Sequence, residues 1–170
     1  IYTDTYLTFQ EEQIHFITAN YMTLFRKKCL QMMQNQIPKN HMDIPWHQFT
    51  GSDKSLPITQ TGLTEKASVI GRTGLMMLSC GTGAWRVRSS MNSLATLLGV
   101  TCTADIGLMS IEYTCFDGTD CYSQSLCLTN TGVNTSKLNR LERFVNDLEQ
   151  QYSTMSGEQI QTYLDQIEQI

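Results

Sequence analysis

The sequence predicts an α+β fold in which helices pack on one face of a small antiparallel sheet. Two consecutive segments, 100–106 and 109–115, alternate apolar and polar residues with the two-residue period of half-covered strands. The stretches before and after them carry apolar residues at helical spacing instead. The predicted order of elements is therefore α-α-α-β-β-β-α-α, with helices and strands grouped separately, as is typical of α+β domains.

The N-terminal part of the chain contains one predicted helix and a connector. Apolar residues recur at helical spacing within residues 9–36, and Pro38 ends the pattern. Residues 38–62 hold all three prolines and indicate an extended connector. Its segment 44–49 is too aromatic for a free linker, and we expect it to pack on the domain surface. The predicted divisions are an N-terminal helical extension (1–37), a proline-containing connector (38–62) and an α+β domain (63–170).

Two helices are predicted before the sheet. The first, over 65–79, is apolar nearly all round, which indicates a central position. Arg72 interrupts it and Gly81 ends it, well short of the ~20 apolar residues of a membrane span. The second helix, about 83–98, ends at Gly99, a residue that tolerates the left-handed conformation of a helix end. Its apolar stripe consists of Ala84, Val87, Met91, Leu94 and Leu98.

The elements after the second strand follow from turn and cap signals. Asp117-Gly118 predicts a hairpin turn into a third strand over 122–128. Two helices then close the chain, and the second of them begins at a Ser156…Gln159 capping box. The apolar positions of these helices are Leu138, Leu141, Val145 and Leu148 in one, and Ile160, Leu164 and Ile167 in the other.

Charge and cysteine content narrow the class of protein. A net charge of -4 argues against nucleic acid or an anionic membrane surface as the main partner. Six cysteines form an even number, which is compatible with disulfides. Strand alternation makes Cys102 and Cys115 small core residues, however, and no CxxC pair occurs. We therefore expect reduced thiols in a reducing cytoplasm.

Arg86 and Arg88 are the first candidate site residues. Both lie near the start of the second predicted helix and outside its apolar stripe. Because a helix N-terminus attracts anions, arginines there suggest a carboxylate or anion site. The alternative is an intramolecular pair, in which Arg86 contacts Asp105 or Glu112 on the sheet.

Asp105 and Glu112 lie on the polar faces of neighbouring predicted strands. Two carboxylates on one sheet face suggest an acid/base pair or a cation site, and a solvated face is the commoner explanation. The sequence lacks the G-x-S-x-G nucleophile elbow, which Ser79 resembles only superficially. His41 and His47 lack the helical spacing of a metal site. No catalytic residue, metal or cofactor is therefore predicted.

Four short segments follow one another along the chain: Gly71-Arg72 with Leu78-Ser79-Cys80-Gly81-Thr82-Gly83-Ala84-Trp85-Arg86-Val87-Arg88, then Ala104-Asp105-Ile106-Gly107, then Tyr113-Thr114-Cys115-Phe116, and then Thr131-Gly132-Val133-Asn134-Thr135. Taken in this order, they resemble the soluble N-terminal domain of the threonine/serine exporter (ThrE-type) family, in its Gram-positive variant. The similarity covers roughly 44–148.

The resemblance implies a domain that precedes a bundle of membrane helices and lies at the cytoplasmic face of the membrane. It implies export of threonine, serine or small carboxylates, with a membrane-spanning exporter domain or subunit as the partner and a small amino acid or carboxylate as a ligand. No nucleic acid is expected, and homo-oligomerisation is left open. The family favours the pattern G-A-E-x-x-R-V-E, and this chain has Gly83 and Arg88 in place of the two glutamates.

Because of this departure, Arg86 and not an acidic residue is the main candidate in this motif. We expect a gating, interaction or ligand-sensing module for transport, with a hydrolase-like enzyme domain as the alternative. The expected ligand-binding residues are Arg86, Arg88, Asp105 and Glu112. A hydrolase would require an activated nucleophile in a closed pocket, whereas a gating module would expose an apolar face near its C-terminus, where the membrane part would attach.

Overall fold

The computed structural model describes residues 40–170. It consists of helix α1 (Leu63–Ser79), helix α2 (Ala84–Leu97), strands β1 (Thr101–Ile106), β2 (Ser110–Phe116) and β3 (Cys121–Cys127), helix α3 (Thr135–Asp147) and helix α4 (Gly157–Glu168). The predicted α+β class and the order of elements from the second helix onward are confirmed. The helix predicted within residues 9–36, and Cys29 within it, lie outside the described residues.

The sheet is an antiparallel meander in the order β1-β2-β3. Helix α1 packs on β2 and β3, and α2 packs on β1, so the helices cover one face, as predicted. On that face Cys102 and Cys115 are opposite each other and buried, which confirms their place in the core. The other face is exposed and rich in hydroxyl groups. Its outward residues include Thr103, Asp105, Glu112, Thr114, Ser123 and Ser125.

Helix α1 is the centre of the domain. Thirteen of its seventeen residues are buried, because it contacts α2, α4 and the sheet at once. It approaches the sheet closely at Gly71, where a Cβ would overlap the Tyr113 hydroxyl. A similar overlap with Met91 on α2 would occur at Gly74. Small residues at these two positions therefore let α1 lie against both neighbours.

The ends of the elements agree with the cap signals of the sequence. Gly99 and Gly118 both have positive φ, at the end of α2 and in the β2–β3 turn. The Ser156 side chain caps α4 and Gln159 completes the capping box. One difference occurs between α3 and α4: the helix predicted to include Leu148 ends at Asp147, and residues Leu148–Tyr152 form a π-helical turn.

Residues 40–62 pack against this core in three short 3-10 turns. Trp46 is 3% exposed and Ile58 is 0% exposed, so the aromatic segment packs on the domain as expected. The Ile58 amide also donates to the Met155 carbonyl just before α4. The proposed division at residues 38 and 62 stays a prediction. Within residues 40–170, no helix combines the length and apolar character that crossing a bilayer requires.

Candidate functional site

Two of the motif segments meet in space. Residues 79–83 follow α1 and residues 131–135 lead into α3, and we call the two together the motif junction. The Gly132 amide donates a hydrogen bond to the Ser79 carbonyl across a distance of 3.0 Å. Gly81 has a φ of 72°, a conformation that favours glycine and turns the chain towards α2. The junction is thus a defined connection between α1, α2 and α3.

A pocket of about 440 Å³ opens at the motif junction. Polar and apolar groups contribute about equally to its lining, which comes from both segments and from residues near them: Met42, Ser79, Cys80, Leu128, Asn130, Thr131, Gly132, Val133, Asn134 and Lys137. The Lys137 ammonium group donates to the Glu168 carbonyl at 2.7 Å. Asn134 caps α3 through its side chain. The most polar side chains of the pocket are therefore already engaged in holding α3 and α4.

The pocket contains two side chains that could act as nucleophiles, and neither is activated. The Ser79 hydroxyl donates to the Met76 carbonyl of its own helix at 2.6 Å, and no imidazole approaches it among residues 40–170. Cys80 is 3% exposed, and burial raises the pKa of its thiol, against smaller effects of Ser79 and Lys137. A neutral, buried thiol is a poor nucleophile. The arrangement favours binding over covalent catalysis.

Large apolar side chains are exposed beside this pocket. Trp85 is 68% exposed and Val133 is 86% exposed, one from each side of the motif junction. The Trp85 ring lies close to Gly83, and the Val133 side chain lies close to Gly81. The Arg86 guanidinium lies 5.4 Å from the centroid of the Trp85 ring. The junction thus presents apolar surface next to a cation.

The structure separates the two arginines predicted as one site. The Arg86 guanidinium lies 3.4 Å from the Glu142 carboxylate of α3, so the pair predicted with Asp105 or Glu112 is wrong. Arg88 instead reaches the sheet, where its Nε donates to the Ala104 carbonyl at 2.9 Å. Residues two apart on a helix point in different directions, which explains the divergence.

The structure does bring Arg88 together with the predicted carboxylates. The Arg88 guanidinium lies 3.9 Å from the Asp105 carboxylate, and Asp105 is directly opposite Glu112 in the β1–β2 pairing. Like charges in opposite positions repel, so the pair gains from a nearby cation. Both acids border an open depression of about 610 Å³ on the exposed sheet face. The ligand-binding role of Arg86, Arg88, Asp105 and Glu112 stays a prediction.

Arg72 is the polar residue whose role the sequence analysis missed. Its side chain is 3% exposed in the middle of α1. One terminal nitrogen donates to the carbonyl and the side-chain oxygen of Gln161, at 3.1 and 2.9 Å. The other donates to Asp165 at 2.6 Å and to Glu168 at 2.7 Å. Its sequence signal is a single arginine in a helix that is otherwise apolar nearly all round.

His41 and His47 serve separate contacts. His47 lies between two carboxylates of α4, with Nδ1 3.0 Å from Glu158 and Nε2 2.8 Å from Asp165. Thr50 also donates to Glu158 at 2.9 Å, so the 3-10 turn is fixed on α4. The Nδ1 atom of His41 accepts from the Cys127 amide at 2.8 Å. Residues 40–170 contain no group of ligand residues suited to a metal ion.

The chain belongs to the threonine/serine exporter family, because residues 68–170 match the family model described as "Putative threonine/serine exporter". This match covers more than half of the chain and includes both segments of the motif junction. No curated protein and no solved structure gives a significant match.

Proposed function

We propose that this domain is a gating or interaction module of a threonine/serine exporter, at the cytoplasmic face of the membrane. The exposed apolar side chains at the motif junction and directly after it, Val133 and Trp85, are the observation that carries this proposal. Large exposed apolar side chains at one turn of the chain are typical of a surface that another protein covers. The occupant that we propose is the membrane-spanning part of the exporter, in the same polypeptide or in a separate subunit.

The geometry of the junction supports a mechanical role. The Gly132–Ser79 hydrogen bond ties the start of α3 to the end of α1, and α2 begins immediately beyond Gly81. A partner that contacts Trp85 and Val133 therefore acts on three helices through one short connection. Gating by such a contact needs no bond-breaking chemistry, in agreement with the hydrogen-bonded Ser79 hydroxyl and the buried Cys80 thiol.

Export measurements on junction variants test this proposal. We expect Trp85→Ala combined with Val133→Ser to lower threonine export by cells that carry the complete exporter. The isolated chain should keep its stability within ~0.5 kcal/mol, because both side chains are exposed. Leu108→Ser is the matched control, since Leu108 is 90% exposed in the β1–β2 turn and outside the junction. Unchanged export by the double variant would overturn the docking role of the junction.

The predicted ligand-sensing role gives a separate proposal for the exposed sheet face. Arg88, Asp105 and Glu112 form a mixed-charge group that suits the ammonium and carboxylate groups of an amino acid. Titration of the chain with L-threonine should then produce a saturable change that Asp105→Asn abolishes. If threonine has no effect on the wild-type chain, the exposed sheet face is a solvated surface and only the docking proposal stands.

A further inference from the structure

The outer edge of β3 carries backbone groups that the sheet does not use. The Leu128 amide donates to the Met109 carbonyl at 2.8 Å, so these two residues form a hydrogen-bonded pair between β2 and β3. Hydrogen-bonded and non-hydrogen-bonded pairs alternate along an antiparallel ladder. In the β2–β3 register, Cys121, Ser123 and Ser125 therefore direct their N–H and C=O groups away from β2. These groups have no hydrogen-bond partner among residues 40–170.

Side chains cover other parts of the sheet edges. At the end of β3, the outward amide of Cys127 donates to Nδ1 of His41 at 2.8 Å. On β1, at the opposite edge, the Ala104 carbonyl accepts from Nε of Arg88 at 2.9 Å. A charged side chain at an edge is a common protection against pairing with another chain. The sequence of β3, Cys-Tyr-Ser-Gln-Ser-Leu-Cys, contains neither a charged residue nor a proline, so the strand itself has no such protection.

We propose that two copies of this chain pair along β3 through residues 121–125. The two strands run antiparallel about a two-fold axis at Ser123, so Ser123 faces its own copy and Cys121 faces Ser125 of the other copy. Each outward N–H group then meets an outward C=O group, because residues in such positions exchange both hydrogen bonds. The contact is isologous, as in most homodimers, and it joins two three-stranded sheets into one.

The open backbone groups select this register over its neighbours. An axis at Gln124 would place Cys121 opposite Cys127, whose amide already donates to His41. An axis at Tyr122 would place Ser125 opposite residue 119, which lies in the turn that the Asp117 amide closes by donating to the Asp120 carbonyl. The axis at Ser123 uses all the open groups of residues 121–125 and none of the occupied ones.

The side chains of the exposed sheet face favour a second copy as the partner. Thr103 is opposite Thr114, and the Thr114 and Ser123 hydroxyl oxygens are 2.8 Å apart. Pairing at Ser123 continues this row of hydroxyl groups into the same row of the other copy, and cross-strand hydroxyl pairs stabilise sheets. The acids stay apart, because Glu112 is opposite Ser125 and its row continues to Cys121 of the other copy. This proposal does not depend on docking at the motif junction, and the two can fail separately.

Sedimentation velocity on the full 170-residue chain, from ~1 μM to ~1 mM, tests the proposal. We expect a concentration-dependent shift from monomer to dimer in the wild type. Ser123→Lys should weaken the dimer at least ~tenfold, because two like charges would face each other at the axis. Thr103→Lys is the matched control, since Thr103 is exposed on the same sheet face but lies on β1, and it should dimerise as the wild type does. Circular dichroism should show an unchanged fold for both variants.

A backbone substitution separates the strand edge from its side chains. Ser123→Pro removes an N–H group that points away from β2, and edge strands tolerate proline at such positions. The variant should therefore fold and stay monomeric over the same concentration range. If it does not fold, the comparison of Ser123→Lys with Thr103→Lys decides.

Cross-linking tests the register. In a Cys121→Ser background, Ser123→Cys should give a disulfide-linked dimer with oxidised glutathione, which takes up the two protons and two electrons of the thiols. The Cα atoms of such a pair lie ~5.5 Å apart, within the range of disulfides. Thr103→Cys in the same background is the control and should stay unlinked.

Three results would overturn the proposal. The first is a wild-type chain that stays monomeric up to ~1 mM. The second is a dimer that Ser123→Lys leaves intact, which would place the interface elsewhere. The third is a dimer that Trp85→Ala combined with Val133→Ser disrupts while Ser123→Lys does not, which would assign self-association to the motif junction.

Discussion

The domain holds two arginines in opposite ways, Arg72 inside the helical layer and Arg86 at the motif junction. The Arg72 side chain is 3% exposed and makes four hydrogen bonds to α4, whereas the Arg86 side chain is 44% exposed and has one acidic neighbour at 3.4 Å. Water competes for the second arginine and hardly reaches the first. The comparison shows that an arginine can hold helices together when it is buried. An arginine that is exposed to solvent remains accessible to a partner.

Removing the buried arginine should have the largest effect on stability. We expect Arg72→Met to lower the free energy of unfolding by ~2–4 kcal/mol, because Gln161, Asp165 and Glu168 each lose their hydrogen bond to Arg72 at once. Urea unfolding followed by circular dichroism measures this. Arg72→Lys, which keeps the charge without the fork, should lie between the wild type and Arg72→Met. A loss below ~1 kcal/mol for Arg72→Met would mean that Arg72 and Arg86 contribute equally little to the free energy of unfolding.

The residue before Arg72 gives the next largest effect. Gly71→Ala should destabilise the domain by ~1–3 kcal/mol, because its Cβ would displace Tyr113 from its place beside Ala67. Gly62→Ala is the matched control, since nothing lies within 4 Å of its Cβ, and it should change stability by at most ~0.5 kcal/mol. Equal unfolding midpoints for the two alanine variants would mean that α1 adapts to the sheet more easily than its packing indicates.

A fall in pH should weaken the contacts that α4 makes with Arg72 and His47 earlier than it weakens the motif junction. Burial raises the pKa of Asp165, but hydrogen bonds from His47 and Arg72 outweigh it, so the pKa lies below its ordinary 3.8. A hydrogen bond from Thr50 is the largest cause that lowers the pKa of Glu158 below 4.5. A carboxyl group whose pKa is lowered in the folded state stabilises that state at pH values above its ordinary pKa. This contribution is lost as the pH falls through the pKa of the folded state.

The corresponding measurement is the free energy of unfolding as a function of pH, from about pH 3 to pH 7. Asp165→Asn should flatten the acid limb of this curve relative to the wild type. Glu65 acts in the opposite sense, because burial raises its pKa and its contribution is lost as the pH rises through the folded value. An acid limb that is equally steep in Asp165→Asn would show that other groups cause the acid sensitivity.

The exposed arginine should have the smallest effect on stability. Arg86→Ala is expected to lower the free energy of unfolding by at most ~1 kcal/mol, because its pair with Glu142 is open to solvent. If Arg86 contacts a ligand or a partner, export by the complete transporter falls while the thermal midpoint stays the same. Wild-type export and stability together would make Arg86 a solvated surface residue.

The elements that sequence reasoning placed well are those whose signal is local. The strands predicted at 100–106, 109–115 and 122–128 occur at 101–106, 110–116 and 121–127. Side-chain alternation needs no knowledge of distant residues, and neither do the glycines and caps that end each element. Cys102 and Cys115 were assigned to the core by the same period, and they are buried there.

The contacts that sequence reasoning missed join residues that are far apart in the chain. Arg86 pairs with Glu142 because α3 folds back over α2, and nothing near Arg86 in the sequence indicates this. The meeting of residues 79–83 with 131–135 has the same origin. Arg72 was interpreted as an interruption of an apolar helix, although an arginine in such a helix needs buried partners somewhere. That need was readable from the sequence, but the identity of the partners was not.

The large separation in sequence between Arg72 and its partners also affects how the domain forms during synthesis. Its partners lie 89, 93 and 96 residues further along the chain. When α1 first leaves the ribosome, its guanidinium has no carboxylate to meet and stays in water. The four hydrogen bonds of Arg72 can therefore all form only after the residues up to Glu168 have been translated. A chain that stops before Asp165 leaves the Arg72 guanidinium without either of the two carboxylates that it meets in the complete fold.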